Sequence, residues 1–206
     1  MIENAVLLLI SALFCWCARP IPGSEWSGEK AADFAAGLII SVAAGGEIFS
    51  AVSGNDAAGT LLYGLAWYAA FPLVVFVRTM QAAQVSGAGK NCYWDRVIWG
   101  RILLVLCVVF ELARRNDVAE YIPAISALIG ALSLLVWALK PHQLLAPKLI
   151  IAALWGAAVV SYLLHANESI SFESLRLIPD LAHLSIPLAI LIYQANLHTR
   201  QQKVGQ

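Results

Sequence analysis

The amino-acid sequence predicts an all-α protein, a polytopic bundle of about seven helices that cross a membrane. Of its 206 residues, 60% are hydrophobic and only 13% are charged, and the mean hydropathy is +0.75. Soluble domains contain about 45–50% apolar and about 25% charged residues. The apolar residues form long runs separated by short charged or Pro/Gly-rich breaks. We therefore expect a single integral membrane domain over residues 1–206, with the lipid bilayer as its surroundings.

Seven apolar stretches approach the length of a membrane-spanning helix, which is about 20 residues with a range of about 17–25. They are Ile2–Ala18, Ala31–Val52, Ala57–Val77, Val97–Ala113, Val118–Leu139, Leu149–Leu164 and Phe172–Leu197. The first stretch carries Glu3 in place of a basic segment, so we interpret it as a retained span rather than a signal peptide. Because the first and sixth stretches are short, six spans with one interfacial helix is the alternative count.

The positions of Lys and Arg predict the orientation, because cytoplasmic loops of membrane proteins carry an excess of both. With the N-terminus outside, most basic residues lie on or near the cytoplasmic side, and the outer side keeps Arg114, Arg115 and Arg176. The prediction is N-out and C-in, in the cell membrane and most simply a bacterial inner membrane. Trp67 and Trp155 fall in the middle of spans, where we expect them to pack between helices.

Two segments suggest an internal repeat, because Leu13–Pro20 aligns without gaps to Leu134–Pro141. Each has a Trp, a cation three residues later, and then Pro. The third and seventh spans also carry a mid-helix Pro-Leu, at Pro72 and Pro187. The alternative is that Trp, a cation and Pro are what any inner helix end tends to contain.

A repeat of this kind would divide the chain into halves 1–80 and 118–200, linked by the helix 97–113. Such a 3+1+3 parallel plan resembles that of SWEET-type sugar transporters, whose halves are related by an axis along the membrane normal. The resemblance covers the number of spans, the N-out orientation and the two mid-helix prolines. It does not extend to a family motif.

Glu47 is an ionisable residue inside the second predicted span, near its outer end. Ala43, Ser50 and Ala51 stand three or four residues away, so its own helix offers no opposite charge. Ionisable groups inside a membrane are costly and are functional candidates. We expect Glu47 to have a partner on another helix, a water-filled cavity or a bound proton; the alternative is contact with outer headgroups or a facing backbone.

The seventh span holds the densest polar group, with Arg176, Asp180 and His183 at i, i+4 and i+7 on one helix face. Pro179 and Pro187 flank it, and each removes a backbone donor from the helix. One interpretation is a pathway for protons or cations in which Asp180 and His183 exchange protons. The other is that Arg176 neutralises Asp180 while His183 bonds to a neighbouring helix.

Glu111 is expected to pair with Arg114 or Arg115, three and four residues further along the fourth span. With the N-terminus outside, four ionisable residues fall in the outer half of the membrane: Glu47, Glu111, Asp180 and His183. This distribution predicts a polar cavity that opens outward. At the inner end, Asp33 is expected to pair with Lys30 at the membrane surface. Arg78 is expected to end the third span and to extend towards the headgroups, before a polar, Gly-rich connection, 78–96.

These features favour a transporter or channel for a small solute or an ion. One alternative is a non-catalytic subunit that packs against a membrane partner or a second copy, since small residues line two predicted spans: Ala43, Gly46 and Ser50, and Ala153, Gly156 and Ala157. A further alternative is an intramembrane lipid-modifying enzyme. It is less favoured because the sequence contains no catalytic motif. We expect no cofactor or metal from the Cys and His spacing, and no nucleic-acid partner from the balanced charge.

Overall fold

The computed structural model describes residues 2–20, 26–54, 56–86, 94–116, 121–138, 155 and 184–192. These residues are almost entirely helical, and no strand occurs among them. The helices are α1 Ile2–Ala18, α2 Gly28–Ser53, α3 Asp56–Leu65, α4 Phe71–Ser86, α5 Arg96–Arg115 and α6 Tyr121–Ala138. A π-helical turn, Ala66–Ala70, joins α3 to α4, so that residues 56–86 form one long interrupted helix. The all-α prediction is confirmed for these residues.

Helices occur in each of the first five predicted spans, and α1 has the predicted limits. The sixth predicted span apart from Trp155, and most of the seventh, lie outside the described residues, so seven spans and the internal repeat stay predictions. One boundary was wrong: the chain was expected to leave its helix at Arg78, but α4 continues to Ser86. Residues 78–86 contain no Pro or Gly, and their Gln and Ala residues are good helix formers.

Two helical stretches, Gly28–Ser53 and Leu61–Gln81, are long and apolar enough to cross a membrane, judged by length and composition. The apolar helix α1 is shorter, at 17 residues. Many large apolar side chains on α1, α5 and α6 are exposed on the described part of the chain. They include Leu9, Leu13, Leu104, Val105, Val108, Leu112, Leu128 and Leu132. Such helices are suited to an apolar environment.

Close packing of α1 against α2 depends on a glycine. A Cβ atom at Gly37 would lie 2.8 Å from Cys15 Sγ and 2.9 Å from Phe14 Cδ1. Small residues at such a position let two helices approach closely. Beyond the end of α1, Trp26 Nε1 donates a hydrogen bond of 2.9 Å to the Ala18 carbonyl, and Ser27 caps the start of α2.

Substitution of Gly37 by leucine is therefore expected to destabilise the protein by about 1–3 kcal/mol, the usual cost of overpacking a filled interface. Gly45 on the same helix is the matched control, because a Cβ atom there meets nothing within 4 Å. Gly45→Leu should instead stabilise by roughly 0.5–1 kcal/mol, because leucine favours a helix more than glycine does. Chemical unfolding in detergent measures both changes, and an equal effect at the two glycines would contradict this description of the interface.

The centre of the described bundle is built around the π-helical turn. All five residues of Ala66–Ala70 are buried. Pro72 follows and has no backbone N–H to offer the Tyr68 carbonyl, while the Phe71 N–H donates to the Ala66 carbonyl, five residues earlier. The prediction that Trp67 and Trp155 pack between helices is confirmed, since they are 3% and 1% exposed.

Candidate functional site

A cluster of polar side chains joins the N-terminal end of α2 to the C-terminal half of α4. Arg78 Nη2 donates to Asp33 Oδ2 at 2.5 Å, and Arg78 Nη1 donates to Gln81 Oε1 at 2.8 Å. Gln81 Nε2 donates in turn to Glu29 Oε2 at 3.0 Å. We call these four residues, Glu29, Asp33, Arg78 and Gln81, the Asp33–Arg78 cluster. It connects the two helices through one ion pair and one further hydrogen bond, from Gln81 to Glu29, while the bond from Arg78 to Gln81 lies within α4.

The two charged groups of the cluster are buried. Each side chain of the pair is only 12% exposed. On α2, Asp33 shares the buried face with Ala32, Ala36 and Ile40. The alanines provide little bulk, so the helix carrying Arg78 can come close enough for contact.

The partner of Asp33 differs from the sequence prediction. Lys30 was expected to pair with Asp33, and Arg78 was expected to extend towards the headgroups. Both expectations were wrong, because Lys30 is exposed while Asp33 lies on the buried face of α2. An i, i+3 spacing makes contact possible, but here the buried face of the helix turns Asp33 towards α4.

The ion pair leaves two of its own atoms without a partner. Asp33 Oδ1 and Arg78 Nε are both inaccessible to solvent and make no hydrogen bond within the described residues. A side-on contact, in which guanidinium Nε and Nη2 meet both carboxylate oxygens, would satisfy all of these groups. The observed end-on contact instead leaves one buried acceptor and one buried donor, which is costly at low dielectric.

Two smaller polar contacts join other helices. The hydroxyls of Ser11 on α1 and Ser41 on α2 lie 2.9 Å apart, and so do those of Thr79 on α4 and Ser133 on α6. Each of the four also lies within hydrogen-bonding distance of a backbone carbonyl of its own helix. These neutral contacts support helix association.

Glu47 lies on the same side of α2 as Asp33, towards the other end of the helix. Its Oε1 atom is 3.4 Å from the place that a Cβ atom would occupy at Gly59 of α3. The side chain is half-buried, and no hydrogen bond or ion pair of Glu47 occurs within the described ranges. Gly59 thus leaves room beside the carboxylate, and the expected partner of Glu47 stays a prediction.

The remaining candidates from the sequence are only partly placed. Glu111 pairs with Arg115, whose Nε donates to Glu111 Oε1 at 3.1 Å, so the predicted local pairing is confirmed. Arg176, Asp180 and His183 lie outside the described residues. The outer cavity that they would form with Glu47 therefore stays a prediction. The sequence did not predict the Asp33–Arg78 cluster as a site. A signal was present, because Asp33 lies near the start of the second predicted span and Arg78 at the end of the third, on the same predicted side of the membrane.

The small-residue face of α2 is covered within the chain. A Cβ atom at Gly46 would lie 2.7 Å from Leu62 Cδ1, and one at Gly59 would lie 3.5 Å from Ser50 Cβ. Ala43 is fully buried. At Gly46 and Ser50 this face therefore packs on α3, and the expectation of a partner protein stays a prediction. Ala153, Gly156 and Ala157, the small residues of the sixth predicted span, lie outside the described residues.

The described side chains provide no metal site, since no three His, Cys, Asp or Glu residues among them lie close enough to hold an ion. Comparison with known protein families, curated proteins and solved structures finds no match to this chain. A functional assignment must therefore be argued from the site itself, because folds host many unrelated functions.

Proposed function

We propose that this chain is a multi-pass membrane protein that transports or conducts a small solute or an ion. The setting we propose is the cell membrane, with seven spans, N-out and C-in, and a bacterial inner membrane as the simplest case. The apolar composition, the two long apolar helices and the exposed apolar faces of α1, α5 and α6 support this setting. In such a helix bundle the lipid would cover those faces.

The buried ion pair Asp33–Arg78 is the observation that carries the transport proposal. Charged groups within membrane-spanning segments are expensive, and they characteristically mark the paths of substrates, ions or protons. A pair that served packing alone could be replaced by apolar side chains of similar volume without loss of stability. The unpartnered Asp33 Oδ1 and Arg78 Nε atoms add a further cost that packing does not explain.

The proposed path follows the seam between α2 and the long helix formed by α3, the π-helical turn and α4. Asp33 and Glu47 are separated by nearly four helical turns, about 21 Å along the axis, and so share a face of α2. Arg78 pairs with Asp33, and Gly59 leaves space beside Glu47. Between them lies the turn Ala66–Ala70, and π-helical turns frequently occur at functional sites.

In this proposal Glu47, together with Asp180 and His183, lines a cavity on the outer side. Arg176 and Glu111 stand at the rim of the same cavity. The Asp33–Arg78 cluster closes the path at the inner end, because the ion pair holds α2 against α4. Opening of the path would require the Asp33–Arg78 ion pair to separate, while most apolar contacts between α2 and the long helix are kept. Such a change in one contact is typical of a gate.

Flux through reconstituted liposomes tests the proposal. The probes are protons, Na⁺, K⁺, glycerol and urea. Proton flux is measured with a pH-sensitive dye, Na⁺ and K⁺ flux with ion indicators, and solute flux by light scattering. We expect the wild-type chain to raise the flux of at least one probe above that of empty liposomes. The Asp33→Asn variant should lose most of that flux, since it removes the charge that pairs with Arg78.

Glu3→Gln is the matched control, because it makes the same chemical change at an exposed position in the first turn of α1. It should conduct like the wild type. Comparable yields and elution profiles of the three proteins would show that loss of flux is not loss of folded protein. Wild-type flux equal to that of empty liposomes for every probe would contradict the proposed function.

A further inference from the structure

The two unpartnered atoms of the ion pair determine which chemical group could complete their hydrogen bonding. Asp33 Oδ1 is an acceptor without a donor, and Arg78 Nε–H is a donor without an acceptor within the described residues. The other polar atoms of the pair are engaged, since Nη2 contacts Asp33 and Nη1 contacts Gln81. A group that donates to Oδ1 and accepts from Nε–H would satisfy both atoms without disturbing the existing hydrogen bonds. Hydroxyl and amide groups have both capacities.

The unpartnered atoms of the pair, rather than its charge, limit which solutes would be accepted. One carboxylate and one guanidinium sum to zero, but Glu29, which accepts a hydrogen bond from Gln81, gives the cluster a net formal charge of −1. A bare cation cannot accept a hydrogen bond from Arg78 Nε–H, and a simple anion cannot donate one to Asp33 Oδ1. A neutral hydroxyl or amide group can do both, and it gains a charge-assisted hydrogen bond from each member.

We propose that the Asp33–Arg78 pair recognises a small uncharged solute that carries both a hydrogen-bond donor and an acceptor, in a hydroxyl or an amide group. This inference rests on the proposed transport function, for which it names the class of substrate. The solute donates a hydrogen bond to Asp33 Oδ1 and accepts one from Arg78 Nε–H. The pair thereby exchanges an end-on contact for a bridged one, in which each buried polar atom of the pair has a partner.

Light scattering from liposomes that contain the full chain tests this proposal with glycerol, which carries hydroxyls, and urea, which carries amides. Water permeability and the fluxes of Na⁺, K⁺ and Cl⁻ are measured on the same preparation. We expect glycerol or urea to enter faster than into empty liposomes, and the three ions to show no increase. If only ions are transported, the proposed solute class is overturned while transport stands. If water alone is transported, the solute class is overturned too.

Two variants test whether the pair is the recognition site. The double variant Asp33→Leu/Arg78→Met removes both charges together, so that no buried charge is left unpaired, and it should abolish the glycerol or urea flux. Arg101→Gln removes an exposed cation of α5 and should leave that flux unchanged. A double variant with wild-type flux would overturn the site.

Should the double variant fail to fold, Asp33→Asn provides the same test with a conserved shape, and it too should lose the flux. Folding of each variant is checked by helical content and elution profile. An absence of flux for every probe with the wild-type chain would instead contradict the proposed transport function, and with it this inference. The solute panel thus separates failure of the substrate class from failure of the function.

Discussion

Replacement of Asp33 by alanine is expected to lower the free energy of unfolding by about 3–5 kcal/mol, the usual cost of breaking a buried ion pair. The variant would leave the Arg78 guanidinium buried without its counter-charge. Both side chains of the pair are 12% exposed, so water can compensate little of this loss. Chemical unfolding of the purified protein in detergent, followed by circular dichroism, measures the effect.

The double variant Asp33→Leu/Arg78→Met is the control for this prediction. Replacement of both members of a buried pair by apolar groups is often neutral and can stabilise by about 1–4 kcal/mol. We therefore expect the double variant to unfold no earlier than the wild type. A single variant as stable as the wild type would contradict the burial of the pair. A double variant as unstable as the single one would show that the loss comes from packing around Asp33.

The second large effect is expected at Trp155, whose replacement by alanine should cost about 3–5 kcal/mol. Trp155 is 1% exposed and stacks on Phe71, with ring centroids 6.2 Å apart. Its Nε1 atom donates a hydrogen bond of 3.2 Å to the Ala127 carbonyl of α6. The ring also fills the space beside Gly130, where a Cβ atom would lie 2.7 Å from Trp155 Cζ2.

Trp16→Ala is the matched control for the loss of an indole, because Trp16 is 63% exposed. The contact it would lose is that with Arg19, whose guanidinium carbon lies 3.5 Å from the ring centroid. Exposed cation–π contacts of this kind contribute about 0.5–1 kcal/mol. The same detergent unfolding experiment compares the two variants. Equal destabilisation at the two tryptophans would contradict the assignment of Trp155 to the core.

Helix positions were predictable because hydrophobic length and local composition largely determine them. The run from Ile2 to Ala18 is apolar and is bounded by Arg19 and Pro20, so its end is set by nearby residues. The end of α4 was predicted less well, since Arg78 was interpreted as the end of a span. Instead Arg78 lies inside the helix, where Asp33 and Gln81 provide partners for its guanidinium.

The Asp33–Arg78 contact could not be derived from spacing along one helix. Lys30 is closer in sequence, and only the packing of α2 against α4 decides which cation Asp33 meets. A signal was nevertheless present, because antiparallel consecutive spans bring the start of one and the end of the next to the same side of the membrane. The two unpartnered atoms of the pair could not be anticipated, since they depend on how the guanidinium is oriented.

Thiol accessibility tests the central claim, that water reaches Glu47 directly and reaches the Asp33–Arg78 pair when that contact opens. Native cysteines are first replaced, and Asp33→Cys is then made in an Arg78→Met background, beside Glu47→Cys alone. The protein is placed in lipid nanodiscs and treated with a small charged thiol reagent. Leu7→Cys provides the buried control, because Leu7 is 0% exposed, and Glu3→Cys provides the exposed one.

We expect the Glu47→Cys variant to react at a rate near that of the exposed control. The Asp33→Cys variant should react more slowly but measurably, while the Leu7→Cys variant stays protected. Protection of both test variants at the level of Leu7→Cys would contradict the claim, and would identify the Asp33–Arg78 pair as a purely structural contact.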